Sequence, residues 1–214
     1  MMATTHALVG LAVGSVAAAL EPAHAPAALA AGLVGGTFPD LDLYAGHRKT
    51  LHFPAYYPAA AVPTAWLAVA AGHPVATAAA VFLAAAALHS AMDVLGGGLE
   101  LRPWRGTSDR AVFDHRRGRW LAPRRWIRYD GAPEDLALAA GIGLPLATVL
   151  DGPWPVVVGA ILAVSAAYVL LRKPLVRLAD RLVGRLPLRV LRYVPERFLE
   201  GLEPAEPATG PAAD

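Results

Sequence analysis

The chain has 214 residues, 56% of them hydrophobic, a formal net charge of +2 and no cysteine. Its apolar share exceeds the roughly 45–50% of soluble domains, and its length suits one domain with an appendage. The missing cysteine excludes disulfides and thiolate ligands. Any bound metal must therefore be held by His, Asp, Glu, backbone or water, a donor set for zinc, manganese, iron or magnesium.

Charge-free runs cover 1–20, 22–39, 53–92, 136–150 and 152–171. The third is too long for one crossing and is broken at Gly72-His73-Pro74, a turn signal. The runs predict six helices, at about 4–20, 23–38, 55–71, 74–95, 134–150 and 154–171. Each is near the short end of the roughly 17–25 residues a span needs. The expected fold class is all-α: a polytopic membrane helix bundle of about six helices. A soluble bundle of buried Ala-rich helices is the competing reading. A cleaved signal peptide at the N-terminus is a further alternative, but Met1 to Leu20 lacks the basic n-region.

Between Leu99 and Asp135 the character changes to basic and rich in Trp, Gly and Pro. Ala111-Val112-Phe113 and Arg119-Trp120-Leu121 flank a polar turn at 115–118, which predicts a small β-hairpin insertion outside the bilayer. After Leu171, Arg177, Arg181 and Arg185 share one helical face and Leu175, Leu178, Leu182 and Val183 another. This predicts a C-terminal amphipathic helix lying on the membrane surface. The expected organisation is an embedded domain over 1–171 with an insertion at 99–133, a basic amphipathic segment at 172–202 and a disordered tail at 203–214.

All 19 Lys and Arg fall in three places: Arg48 and Lys49, nine arginines from Arg102 to Arg128, and eight basic residues from Arg172 to Arg197. Lys and Arg concentrate in cytoplasmic loops. With both large basic segments and the 39–54 connector on that side, the helix count closes without a forced step. The expected location is the inner (cytoplasmic) membrane, multi-pass. The central arginines are read as a topology signal and an anionic-lipid contact, and no nucleic acid is expected.

That topology puts His6, Asp40, Asp42, His47, His52, His89 and Asp93 at one membrane face, the cytoplasmic one. His89 and Asp93 are four apart on a helix and share a face. Asp93 ends a 40-residue charge-free run and needs a partner, because charge within a span is costly and marks function. Singly, each residue has a plainer role as a cap, turn or hydrogen-bonded pair. Jointly they point to a cation. His24 and His73 fall at the opposite end and are read as structural.

The order His6, Pro39-Asp40-Leu41-Asp42, His47-x4-His52 and His89-x3-Asp93, followed by Gly96-Gly97-Gly98 and Pro103-Trp104, resembles the membrane-bound metal-dependent hydrolase family. That family is also described as LexA-binding, inner-membrane-associated hydrolases. The resemblance covers residues 1–104. Lys49 stands where the family has glycine, Thr50 is displaced by one, Phe53 replaces a common Ser, and a Thr is missing before the Gly96 run. The pattern is also similar, distantly, to zinc-dependent phospholipase C and P1-type nucleases.

The resemblance implies a divalent metal, zinc first and manganese or magnesium as alternatives, with one to three ions. It implies His6, Asp40, His52, His89 and Asp93 as ligands, with Asp42 and His47 as ligands or their supports. Asp40 or Asp42 would orient water or act as base, and Arg48 and Lys49 would hold an anionic oxygen. The expected activity is hydrolysis of a phosphate ester or phospholipid headgroup at the bilayer. A non-catalytic scaffold or regulator with a structural metal, and a divalent-cation transporter, are the alternatives.

Overall fold

The computed structural model describes residues 1–193. Among them are helices α1 (Ala3–Leu20), α2 (Ala25–Thr37), α3 (Tyr56–Ala71), α4 (Pro74–Leu95), α5 (Pro133–Val149), α6 (Trp154–Val183) and the short α7 (Leu188–Leu191). A two-stranded antiparallel sheet joins β1 (Val112–Asp114) to β2 (Arg119–Leu121). Prolines stand in the first turn of α2, α4, α5 and α6, where a missing N–H costs no hydrogen bond. Gly72 ends α3 in the left-handed conformation.

Helix α1 is the centre of the bundle and packs on α2, α4, α5 and α6. Leu8, Leu11, Leu29, Ala139, Leu146 and Val158 form its buried core. The α1–α2 crossing is a contact of backbone on backbone. A Cβ on Gly10 would meet the Gly32 carbonyl oxygen at 2.1 Å, and one on Gly36 would meet the His6 carbonyl oxygen at 2.4 Å. Four-residue spacing of Gly10 and Gly14, and of Gly32 and Gly36, lays the small residues along facing ridges.

The outer surface is apolar. Trp66, Val69, Val156 and Leu170 are 73%, 87%, 76% and 74% exposed. In water a surface of that kind drives association; against lipid it carries no penalty. Three helices, α1, α4 and α6, are long and apolar enough to cross a membrane. The expectation of six spans is thus met by three on these criteria. Helices α2, α3 and α5 have 13, 16 and 17 residues, about 20–26 Å at 1.5 Å per residue against about 30 Å of hydrocarbon.

The hairpin forms where the sequence predicts it, with Phe113 opposite Trp120 and Gly118 at φ +62° in the turn. The segment behind it folds back onto the end of α4. The Arg124, Arg125 and Trp126 N–H groups donate to the carbonyls of Val94, Gly96 and Leu95. Carbonyls that a helix end leaves without partners are satisfied in this way.

The C-terminal region departs from expectation. Helix α6 does not stop near Leu171 but runs through Pro174 to Val183. Arg172 and Lys173 end the apolar stretch, but charge does not end a helix; with no glycine between Lys173 and Gly184 the 3.6-residue pattern continues. Pro174 removes one backbone donor without breaking the rod. A separate amphipathic helix beginning at residue 172 is therefore not formed. The tail at 203–214, and residues 194–202 before it, lie outside the described residues.

Candidate metal centre

Three parts of the chain meet at one end of the bundle. Helix α1 brings His6 in its first turn, α4 brings His89 and Asp93 in its last two, and the connector after α2 brings Asp40 to His52. That connector starts as a 3-10 turn over Phe38–Tyr44, which turns Asp40 and Asp42 back toward the bundle.

Asp40, His52, His89 and Asp93 each offer one donor atom, and these four atoms lie within 4.8 Å of one another. His52 Nε2 is 3.2 Å from His89 Nε2 and 3.2 Å from Asp93 Oδ2. His89 Nε2 is 3.4 Å from Asp40 Oδ1 and 3.5 Å from Asp93 Oδ2, and His52 Nε2 is 3.9 Å from Asp40 Oδ1. A tetrahedral ion with bonds of 2.0–2.2 Å needs ligand-to-ligand edges of about 3.3–3.6 Å. Five of the six edges, from 3.2 to 3.9 Å, bracket that value, and the sixth, between the Asp40 and Asp93 oxygens, is within 4.8 Å.

The hydrogen bonds behind the donors favour a cation. His89 Nδ1 is 2.7 Å from the Gly36 carbonyl oxygen, an acceptor, so its proton belongs on Nδ1. His52 Nδ1 is 3.1 Å from Asp42 Oδ2, another acceptor. When neutral, both imidazoles turn an Nε2 lone pair toward the other and toward two carboxylate oxygens. Four acceptors around one point repel unless a positive charge joins them. A carboxylate or carbonyl behind each imidazole is also the usual support of a metal-ligating histidine. The donors present therefore fit a divalent ion. A proton on His52 can occupy the same place. Burial opposes that proton, but hydrogen bonds to Asp42 and Asp93 raise the His52 pKa above its ordinary value. Proton and metal compete for Nε2, so metal loading rises with pH.

The other predicted residues surround this centre in different ways. His6 is buried; its Nε2 lies 3.1 Å from Asp93 Oδ1, the oxygen turned away from the four-atom cluster. Its ring stacks on His89 at 3.7 Å, and its buried Nδ1 has no hydrogen-bond partner. Asp42 accepts at both oxygens: from the Arg48 N–H and His47 at Oδ1, and from the Leu51 N–H and His52 at Oδ2. Burial pushes its carboxyl up, but the hydrogen bonds from His52, Leu51 and His47 outweigh this and hold it well below the usual range. With both oxygens engaged, Asp42 positions His52. It is not free to take a proton from water.

His47 is partly exposed and touches Asp42, outside the four-atom cluster. Arg48 is buried at φ +58°, with Nε 3.4 Å from Asp93 Oδ2 and Nη1 donating to the Gly97 carbonyl at 2.7 Å. Lys49 points elsewhere, with its ammonium 4.6 Å over the Phe113 ring. The hairpin rests on this connector through a Phe113 N–H to Arg48 carbonyl bond and a His115 contact to the Lys49 carbonyl. Ser90 bonds back to the Ala86 carbonyl of its own helix. At the far end, His24 meets Thr77 and His73 caps α4, the structural roles expected of them.

Sequence reasoning missed the anchor beneath His6. Asp135, in the first turn of α5, is fully buried and accepts from Thr5 Oγ1 at 2.7 Å, the Met2 N–H at 2.8 Å and the Gly131 N–H at 3.2 Å. It fixes the start of α1. The available signal was the one used for Asp93: a carboxylate bordering a charge-free run. The Gly36 and Gly97 carbonyls had no signal, because backbone acceptors leave none in sequence. The Met1 amine also reaches Asp93, at 2.8 Å.

Replacement of the support gives a direct check. Asp42→Asn puts an amide NH2 against one of two pairs of donors and removes the charge that holds His52. Zinc affinity, measured by chelator competition, is expected to fall about 10–100-fold. Unchanged affinity would remove Asp42 from the centre.

No protein-family model, curated protein or solved structure matches this chain.

Proposed function

We propose that the chain is a membrane-bound metal-dependent hydrolase acting on a phosphate ester or phospholipid headgroup at the cytoplasmic face of the inner membrane. The observation that carries the reading is the four-donor cluster of Asp40, His52, His89 and Asp93, whose donor atoms lie within 4.8 Å of one another at one mouth of an apolar bundle. The resemblance in motif order to the membrane-bound metal-dependent hydrolases agrees with it. A divalent ion held there, zinc first by donor type, would supply Lewis acidity and lower the pKa of water toward about 7.

The chain's own residues divide the remaining work. Asp40 is the open member, with 22% of its side chain accessible where the other three donors are buried. Burial raises its pKa, but contact with His89 outweighs this and holds it below the ordinary value, so it stays ionised and able to accept a proton from water. Arg48 offers the buried cation nearest the cluster for an anionic oxygen. His6 stacks on His89 and steadies Asp93 from its outer oxygen.

One observation favours a second reading. Four protein donors at tetrahedral spacing close the shell of a zinc ion, the pattern of structural rather than catalytic sites. On that reading the chain is a membrane scaffold stapled by metal. A transporter is less favoured, since the donors gather at one end of the bundle and not at its midplane.

Metal removal separates these. Purified chain in detergent is expected to carry about one zinc equivalent and to hydrolyse a phosphodiester. Chelation should abolish the hydrolysis and zinc should restore it. Zinc without hydrolysis of any phosphodiester or phospholipid selects the scaffold; no metal at all after metal-replete purification overturns both.

A further inference from the structure

A second site lies away from the metal centre, where the loop after α4 crosses the extension of α6. A recess of about 370 Å³ opens there, within the size range of ligand pockets. Arg102, Trp104 and Arg105 line one wall, and Lys173, Arg177 and Asp180 the other. The four cations face one carboxylate, and Asp180 is held by Arg102 at 2.5 Å. Among the described lining residues this leaves a net charge of +3 in a concave site. Among the described residues, no carboxylate pairs with Arg105, Lys173 or Arg177. The Lys173 ammonium instead lies over the rings of Trp104 at 5.6 Å and Tyr129 at 5.0 Å, cation–π contacts that hold it at the aromatic wall of the recess.

The depth of the recess names the ligand. The apolar stretch of α6 ends at Leu171, and Lys173 and Arg177 follow within two turns. A helix that crosses the hydrocarbon up to Leu171 carries those residues about 3–9 Å further, the level of the headgroup layer. Trp104 suits the same level, since indoles collect at the membrane–water boundary. On the opposite face of those turns Leu175 and Leu178 are half-exposed, as expected of a helix just leaving lipid. Two guanidinium forks and an ammonium around an indole match the oxygens of a phosphate bearing more than one negative charge.

We propose that this recess is a binding site for a phosphate monoester group, of a lipid headgroup or of a soluble phosphate, distinct from the metal centre. It holds its ligand without metal and does not depend on the chain being a hydrolase.

The test uses the full chain in nanodiscs of zwitterionic phospholipid, metal-stripped so that the other centre is silent. One arm titrates a lipid with a phosphate monoester headgroup, another inorganic pyrophosphate, and a third a fatty acid as a carboxylate of similar shape. Saturable binding of the monoester lipid, and not of the fatty acid, is expected. Arg105→Gln with Arg177→Gln should weaken it about tenfold or more, each neutralised residue losing a charge-assisted contact. Both are exposed, so the fold is expected to survive, and helicity checks that. Arg116→Gln with Arg117→Gln in the hairpin turn removes the same charge elsewhere and should change affinity less than about twofold. Pyrophosphate binding with the same variant pattern supports the phosphate site with a soluble source. Equal loss in both double variants, equal binding of the fatty acid, or no saturable binding in any arm overturns the proposal. If the double variant unfolds, Arg105→Gln alone gives the same comparison, with a smaller expected loss.

Discussion

Asp93→Ala is expected to empty the metal centre and to destabilise the bundle at the same time. Asp93 supplies a donor atom to the cluster through Oδ2 and holds His6 and the Met1 amine through Oδ1. Arg48 Nε stands 3.4 Å from it and is itself buried. Removing the carboxylate leaves that buried guanidinium without its counter-charge, and breaking one side of a buried pair costs about 3–5 kcal/mol. Zinc content should fall to less than about a tenth of wild type, because three donors remain and one of them, Asp40, is partly open. Any phosphodiester hydrolysis should drop by more than about 100-fold, beyond what loss of a supporting residue gives.

The diagnostic readout is the melting temperature with and without zinc. Zinc held at the proposed centre of the wild type, binding the folded chain and not the unfolded one, is expected to raise it. In Asp93→Ala both values should be low and equal. Asp93→Asn keeps the volume and tests charge alone; it too should lose the zinc-dependent increment. A zinc-dependent increment that survives in both variants would mean the ion, if present, sits elsewhere.

The sequence exposed the donors more clearly than the scaffold that places them. His89 and Asp93 were legible because helical spacing fixes their common face, and Asp93 because a charge at the end of a long neutral run is costly. Asp40 and His52 were legible as a set with them, since the topology carried both connector ends to the same side. What sequence could not assign was the division of labour. Asp42 and Asp40 are two residues apart and chemically identical, yet one has both oxygens filled by N–H donors and the other keeps an exposed face. Arg48 and Lys49 are adjacent cations, but the backbone at Arg48 is left-handed, which turns one inward to Asp93 and the other outward to Phe113. Neither distinction exists before the connector is folded. The end of α6 differs from expectation for another reason: loss of hydrophobicity at Arg172 suggests a break between a span and a separate amphipathic helix, whereas one helix runs through both to Val183.

The second large effect is expected far from any polar group, at Gly32. Its missing side chain is what lets α1 and α2 touch: a Cβ there would lie 2.2 Å from the Gly10 carbonyl oxygen. The opposing atoms are backbone on both sides, so no rotamer change can relieve the clash. Contact at an ordinary 3.4 Å or more requires the helices to separate by roughly 1 Å, and a single methyl already imposes this. Overpacking of this kind costs about 1–3 kcal/mol, and more where nothing flexible can yield.

The separation also reaches the metal centre. Helix α1 carries His6 beside Gly36, and the Gly36 carbonyl orients His89. Gly32→Ala should therefore lower both the melting temperature and zinc affinity, and Gly32→Val should prevent recovery of folded protein. The control lies in the same bundle. Gly141 in α5 and Gly159 in α6 would meet nothing within 4 Å on gaining a Cβ. Alanine there should be neutral or stabilising by up to about 1 kcal/mol, since alanine is the better helix former. If Gly32→Ala melts like Gly141→Ala and binds zinc like the wild type, then close backbone contact between α1 and α2 is not what holds the donors together, and the account of how this chain builds its site fails at its first step.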